Sequence, residues 1–157
     1  MNPDGLRPAG APAALALALA CALGAQAAAA GEPPAADYER MRAALADRIV
    51  FFDPGETTVD DEQADIIIAH LRLAEAYPNE RIVLQGFSDE RGDAACNLAL
   101  GRRRAEAVKR QLVLLGLDPA RIETESLGAQ RPRAACHEEK CWALNRRVEF
   151  VHRAPLR

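Results

Sequence analysis

An aspartate and an arginine near the middle of the chain have the types and spacing expected for binding a zwitterion. Asp89 follows an apolar segment, 82–87, and Arg104 lies on the helix predicted after it. Asn97 and Arg104 are seven residues apart, which places them on one stripe of that helix. An arginine fork pairs with a carboxylate, and an aspartate accepts hydrogen bonds from an ammonium group. We therefore expect Asp89 and Arg104 to bind a ligand that carries both groups.

The pattern of apolar residues predicts the elements that position these two side chains. Long helices are expected between Asp60 and Pro78, and from the turn at Asp93 to Gly116. A short helix is predicted at 37–47 and a loop at 128–139. Strands are predicted at 48–52, 81–87, 122–126 and 147–152. The order is β-α-β-α-β-β, an α/β (α+β) fold in which a mixed sheet has both long helices on one face.

The predicted topology brings two carboxylates to one edge of the sheet. A right-handed β-α-β crossover makes the first two strands parallel. Their C-terminal ends, near Asp53 and Asp89, then lie at the same edge. Ligands tend to bind at that edge in open α/β sheets, so the topology alone predicts a ligand site beside Asp89.

Several short sequence blocks, which follow one another in a fixed order along the chain, carry a family resemblance. They are Gly86-Phe87-Ser88-Asp89, Asn97 to Leu100, Arg104-Ala105 and Asn145-Arg146-Arg147. Over roughly 48–151, the chain resembles the family formed by the C-terminal domain of outer-membrane protein A and the peptidoglycan-associated lipoproteins. The Asp-Glu-Arg-Gly run at 89–92 is especially similar to the lipoprotein branch.

The resemblance implies a noncatalytic domain that binds peptidoglycan and tethers the outer membrane to the cell wall. It implies that Asp89 and Arg104 hold the free end of diaminopimelate in the stem peptide, and that Asn97 braces the turn. Arg147 is expected to support the same pocket and Phe52 to line it. The partners implied are peptidoglycan, the outer membrane and trans-envelope proteins. The alternative is an envelope protein–protein interaction module of the same fold without wall binding.

Two residues depart from the family pattern. Phe87 occupies the usual histidine position, so a polar contact from that side chain is lost. Gly55 stands where an aspartate or asparagine is common. Both changes affect the expected affinity for the wall more than the expected fold.

An enzymatic interpretation is weaker than the binding one. The run from Gly86 to Glu90 approaches a G-x-S-x-G nucleophile elbow, but Glu90 occupies the position of the final glycine. No histidine is placed by the sequence as a base for Ser88. We therefore expect no enzymatic activity and no cofactor.

Residues 1–30 have the character of a targeting segment. The apolar run at 13–23 is shorter than the roughly 20 residues that a membrane-spanning helix needs. Cys21 ends an imperfect lipobox, and 25–27 forms an A-x-A cleavage site. Lipidation at Cys21 would place the protein on the periplasmic face of the outer membrane, whereas cleavage at the second site would leave it soluble in the periplasm. The chain is divided into a targeting segment, a linker with a short helix, and one peptidoglycan-binding domain, at 1–30, 31–47 and 48–152.

Charge and cysteine usage limit the remaining function classes. With 20 basic and 23 acidic residues the formal net charge is −3, which gives no general attraction to nucleic acid. Cys136 and Cys141 enclose four residues and are expected to form a disulfide in an oxidising compartment. A metal site with His137 and Cys96 is the alternative. The cysteine spacing is unusual for zinc, so no metal is expected.

The anchoring hypothesis has a direct test. We expect the mature protein to begin at a lipidated Cys21, because Ala20-Cys21 ends the apolar run and the several acyl chains of a bacterial lipoprotein would anchor it firmly. Mass spectrometry of the mature N-terminus is the measurement. A mature chain that begins at Ala28 without lipid would contradict lipidation and leave a soluble periplasmic protein.

Overall fold

A four-stranded mixed sheet organises the part of the chain that the computed structural model describes, residues 33–154. The strands are β1 (Val50–Phe51), β2 (Arg81–Phe87), β3 (Ile122–Gly128) and β4 (Arg147–Arg153). The helices are α1 (Ala35–Ala44), α2 (Ala64–Ala76), α3 (Ala94–Leu114) and α4 (Glu139–Asn145), with short 3-10 turns at Asp61–Gln63 and Pro119–Arg121. Within these residues no helix is both long and apolar enough to cross a membrane. The targeting segment and Cys21 lie outside the described residues.

The strand order is β1-β4-β2-β3. β4 runs antiparallel to both β1 and β2, and β3 is parallel to β2 at the sheet edge. Because β1 and β2 are each antiparallel to the strand between them, they point in the same direction. The predicted parallel relation of the first two strands is therefore confirmed, and their C-terminal ends lie at one edge.

Both long helices cover the same face of the sheet, as predicted. Ile82 and Leu84 alternate along β2 and belong to one buried cluster with Val148 of β4. Side chains two apart in a strand share a face. The same cluster contains residues of α2 and α3: Ile67, Leu71, Ala74, Ala105, Val108 and Leu112. The opposite sheet face carries charged pairs such as Arg147 with Glu149.

Two glycines set the distance between α3 and β2. A side-chain carbon added to Gly86 would overlap the carbonyl oxygen of Gly101, so the strand and the helix meet backbone to backbone. This close approach brings the first turns of α3 beside the C-terminal end of β2. The turn that carries Asp89 is thereby held against the helix that carries Arg104.

The structure departs from the sequence prediction in three places. The first strand is only two residues long, and α4 was not predicted at all. Leu98 and Leu115, which share the i, i+3/i+4 apolar spacing of the second predicted long helix, are 37% and 46% exposed. Seven residues are too few for a stable isolated helix, so α4 depends on tertiary contacts. The predicted disulfide between Cys136 and Cys141 is present, with the two Cα atoms 5.6 Å apart, and it holds the first turn of α4.

A buried chain of polar side chains connects α2, the turn before β2, and β4. His70 Nε2 lies 2.9 Å from the Arg48 carbonyl oxygen, and its Nδ1 lies 2.7 Å from His152 Nε2. The carbonyl can only accept, so His70 donates through Nε2 and accepts from His152 through Nδ1. His152 in turn pairs with Glu80, which is completely buried. The ring of His70 also stacks on Phe150, and a proton added at Nδ1 would face the N–H of His152.

This arrangement predicts a loss of stability in acid. Burial lowers the pKa of His70 from 6.5 to about 4. Below about pH 6.5, His70 binds a proton in the unfolded chain but remains neutral in the folded protein. The free energy of unfolding therefore falls as the pH decreases towards 4. Between pH 7.5 and 4.5 this histidine should account for a loss of about 2.5 kcal/mol. Urea unfolding of wild type and His70→Gln at both pH values measures it, and the variant should lose less stability on acidification.

The exposed His137 offers a matched control. Its hydrogen bond with Glu90 raises its pKa, so its contribution to stability has the opposite pH dependence. His137→Gln should therefore retain the acid loss seen in the wild type. An identical pH dependence in His70→Gln and wild type would contradict the assignment.

Candidate functional site

The turn after β2 places a carboxylate at the sheet edge. The Ser88 amide donates to the Gly128 carbonyl at 3.0 Å, which extends the pairing of β2 with β3 by one bond. Asp93 caps α3 by accepting from the Cys96 amide at 2.9 Å. Gly92 between them has a φ of +88°, a conformation that glycine adopts without strain. Asp89 is thus held between the end of the strand and the start of the helix.

Two arginines satisfy the Asp89 carboxylate. Arg91 donates to Oδ1 through its amide at 3.1 Å and through Nε at 3.0 Å, and to Oδ2 through Nη2 at 2.7 Å. Arg146 Nη1 lies 3.4 Å from Oδ2. Burial raises the pKa of Asp89, but the bonds from Arg91 outweigh it, and the net effect is a pKa below the usual value. Asp89 is therefore ionised at neutral pH, with only 10% of its side chain exposed.

Arg146 is the functional candidate that the sequence interpretation missed. Its side chain is 4% exposed and makes three contacts with different parts of the chain. Nε donates to the Phe52 carbonyl at 2.9 Å, Nη2 to Glu139 Oε1 at 2.6 Å, and Nη1 approaches Asp89. It therefore joins the end of β1, α4 and the acidic turn. The Asn-Arg-Arg block at 145–147 indicated an arginine near the site, but the sequence does not determine which of the two arginines faces it.

Arg147, the predicted site residue, lies elsewhere. Its guanidinium lies 3.7 Å from the centre of the Phe87 ring and donates to Glu149 at 2.6 Å and to the Arg131 carbonyl at 3.1 Å. Consecutive residues of an extended chain point in opposite directions, so when Arg146 faces Asp89 its neighbour faces away. Arg146, and not Arg147, is therefore the arginine of this pair that lies beside Asp89.

Arg104 is buried, whereas a side chain that pairs directly with a ligand carboxylate would be expected to be open to solvent. It has no exposed surface. It donates to three backbone carbonyls: Glu56 at 2.9 Å, Phe87 at 3.0 Å and Asp53 at 3.1 Å. Burial, and then the nearby Arg146, lower its pKa to about 10, which still leaves it charged at neutral pH. The structure thus does not place Arg104 and Asp89 as two side chains that face solvent together.

Phe52 and Asn97 occupy positions close to those expected. Phe52 belongs to the core, its ring centre lies 5.2 Å from the Arg104 guanidinium, and it also lines a pocket of 390 Å³. That pocket lies between the segment that follows β1 and α4, and Arg146 forms part of its wall. Asn97 is 6% exposed at the start of α3. Its side chain has no hydrogen-bond partner among residues 33–154, and the hydrogen bonds that hold the turn are those of Asp93 and the Ser88 amide.

A second polar cluster attaches α4 to the acidic turn. Glu90 Oε1 accepts from Trp142 Nε1 at 2.9 Å and contacts His137 Nδ1 at 2.6 Å. The Arg91 guanidinium lies 4.3 Å from the centre of the Trp142 ring. Arg91 also lies 4.0 Å from Glu139. The helix closed by the disulfide therefore covers one side of Asp89.

These groups suit the recognition of a charged ligand. The buried hydroxyl of Ser88 has no partner in the described part of the chain, so no histidine contacts it there as a base. Of the cysteines considered as metal ligands, Cys136 and Cys141 form a disulfide with each other, and Cys96 is an exposed free thiol. What remains at the edge is an ionised carboxylate, three guanidinium groups and an adjoining pocket.

Comparison with known proteins gives a family match. A model of the OmpA family matches residues 51–146. A peptidoglycan-associated lipoprotein of Pseudomonas aeruginosa is 55% identical over 71 residues, which are 45% of this chain and 42% of that protein. One of Pseudomonas putida is 43% identical over 100 residues, 64% of this chain and 60% of that protein. This chain therefore spans about two fifths to three fifths of the length of these relatives.

Solved structures agree with the fold. The peptidoglycan-associated lipoprotein from Burkholderia pseudomallei has a TM-score of 0.67 and 43% identity, over 69% of this chain and 92% of that one. The C-terminal domain of Helicobacter pylori MotB has a TM-score of 0.62 and 20% identity, over 68% of this chain and 84% of that one. The second likeness concerns the fold alone.

The burial of Arg104 predicts a structural cost for its removal. Arg104→Ala would leave the Asp53, Glu56 and Phe87 carbonyls without this donor, and we expect a loss of about 3–5 kcal/mol in the free energy of unfolding. Urea denaturation measures the loss. The adjacent Arg103→Ala is the control, because that side chain is exposed and its removal should cost less than about 0.5 kcal/mol. Equal stability of the two variants would show that the three bonds are not needed for the fold.

Proposed function

This chain belongs to the OmpA family, and we propose that it is a noncatalytic peptidoglycan-binding protein that tethers the outer membrane to the cell wall. The observation that carries the proposal is the buried, ionised Asp89 at the edge where β1 and β2 both end. The relatives from Pseudomonas are named peptidoglycan-associated lipoproteins, and the OmpA family model matches residues 51–146, which include this edge. We propose residues 48–152 as the binding domain, with 31–47 as linker and short helix.

The proposed ligand group is the free end of diaminopimelate in the stem peptide. That end carries one ammonium and one carboxylate, and Asp89 supplies the charge that an ammonium requires. For the carboxylate we propose Arg104, because a guanidinium has five N–H donors and only three have acceptors among the described residues. Access to it requires the segment 53–56 to shift, since two carbonyls of that segment hold the guanidinium.

Weak individual contacts are sufficient for such a tether. A polymeric wall presents the same stem peptide many times, so a released domain meets another ligand at high local concentration. Each charge-assisted hydrogen bond to the ligand replaces a bond that Asp89 already makes inside the protein. Exchange of this kind favours reversible binding, which suits a protein that holds the outer membrane to a growing wall.

We also propose attachment to the periplasmic face of the outer membrane through a lipid on Cys21, with a soluble periplasmic form as the alternative. The disulfide between Cys136 and Cys141 supports export, because such bonds persist in oxidising compartments. Trans-envelope protein partners belong to the same proposal.

The central test is the affinity of Asp89→Asn for a synthetic stem peptide that ends in diaminopimelate. Asparagine keeps the size of the side chain but removes the charge, so we expect binding to weaken about tenfold to a hundredfold. Calorimetry measures the affinity, and melting curves check that the variant is folded. Glu75→Gln is the control: it also removes one negative charge, but from an exposed position distant from the site, and it should bind as the wild type does.

Two results would count against the proposal in different ways. Wild-type affinity in Asp89→Asn would remove Asp89 from the site but leave wall binding standing. A wild-type protein that binds neither the stem peptide nor purified peptidoglycan would reject the function itself.

A further inference from the structure

The Asp89 carboxylate has no acceptor position to spare in this structure. An ionised carboxylate offers about four lone-pair positions. Oδ1 accepts two hydrogen bonds from Arg91, and Oδ2 accepts one from Arg91 and one from Arg146. A ligand ammonium therefore cannot be added to Asp89 without the loss of a bond that is already present.

The two arginines differ in how easily they can leave. Arg146 is 4% exposed and is also held by the Phe52 carbonyl and by Glu139, so its guanidinium is fixed on three sides. The side chain of Arg91 is 44% exposed. Its other contacts are the face of Trp142 and a 4.0 Å approach to Glu139. Arg91 is thus the donor that a ligand can displace.

Displacement would not leave the Arg91 charge without a partner. Glu139 Oε2 lies 4.0 Å from Nη2, and the Trp142 ring lies beneath the guanidinium, so both groups remain available after Asp89 is released. The amide of Arg91 can keep its 3.1 Å bond to Oδ1, because that bond belongs to the turn. Only the two side-chain bonds need to break, and they are the two that an ammonium would replace.

We propose that Arg91 is a built-in competitor that occupies the ammonium position at Asp89 and thereby sets both the affinity and the selectivity of the site. This inference rests on the proposed function, in which Asp89 takes the ligand ammonium. A site that is open only part of the time binds with an apparent affinity reduced by that fraction. Only a cationic group repays the bonds that Arg91 gives up, so neutral and anionic ligands are excluded.

The test is the affinity of Arg91→Gln for the stem peptide that ends in diaminopimelate, measured by calorimetry with wild type alongside. Removing the competitor should tighten binding about three- to tenfold. Arg110→Gln is the matched control, since it removes the same charge from an exposed position near the far end of α3 and should leave affinity unchanged. Arg91→Met, which keeps an apolar contact with Trp142, should bind as tightly as Arg91→Gln.

A second peptide makes the result specific. When the free amine of diaminopimelate is acetylated, Arg91→Gln should give no gain over wild type, because the competition is for the ammonium position. Equal or weaker binding of the unmodified peptide by both folded Arg91 variants would overturn the competitor and make Arg91 part of the binding surface. If wild type itself fails to bind the unmodified peptide, the proposed function is rejected together with the competitor.

Discussion

The buried guanidinium of Arg104 is the interaction on which the arrangement of the sheet edge depends. It reaches from α3 to the carbonyls of Asp53 and Glu56 after β1 and to that of Phe87 at the end of β2. These segments are far apart in sequence and neither has regular secondary structure to position it beyond the strand ends. One charged group with several rigid donors can hold all of them at once, which a hydrophobic side chain of the same volume cannot do. Because Asp89 lies two residues beyond Phe87, its position is a consequence of this anchorage.

The charges at the edge are paired with one another. Asp89 is shared by Arg91 and Arg146, and Arg146 is shared in turn with Glu139. Such a network lowers the cost of keeping an ionised carboxylate almost out of water. It also means that a ligand gains only the difference between its own bonds and those it replaces. Under the proposed function, the same arrangement stabilises the site and limits its affinity, which suits a reversible attachment to a polymer.

The disulfide and α4 complete the site from a distant part of the sequence. The bond between Cys136 and Cys141 closes a short loop at the start of a helix too short to form alone. The helix brings Trp142 against Arg91 and Glu139 against Arg146. Covalent closure thus positions the side chains that surround Asp89, although neither cysteine contacts the carboxylate. The buried pair of His152 with Glu80 plays a comparable role at the other end of β4, where it links the strand to α2 through His70.

The sequence by itself determined the order of the strands and long helices, the parallel relation of β1 and β2, the disulfide and the position of Asp89 after β2. These features depend on local periodicity, on turn residues and on the handedness of a crossover, and all three can be inferred from residues close together in the sequence. It did not determine which arginine faces the carboxylate: Arg147 was expected, and Arg146 lies there. It also did not show that Arg104 is buried, that α4 exists, or that the Arg91 side chain donates hydrogen bonds to the Asp89 carboxylate. The positions of Arg104 and Arg146 depend on contacts between residues about 50 apart in sequence, where burial and competing hydrogen bonds decide the direction of each side chain, and only the tertiary structure supplies those contacts.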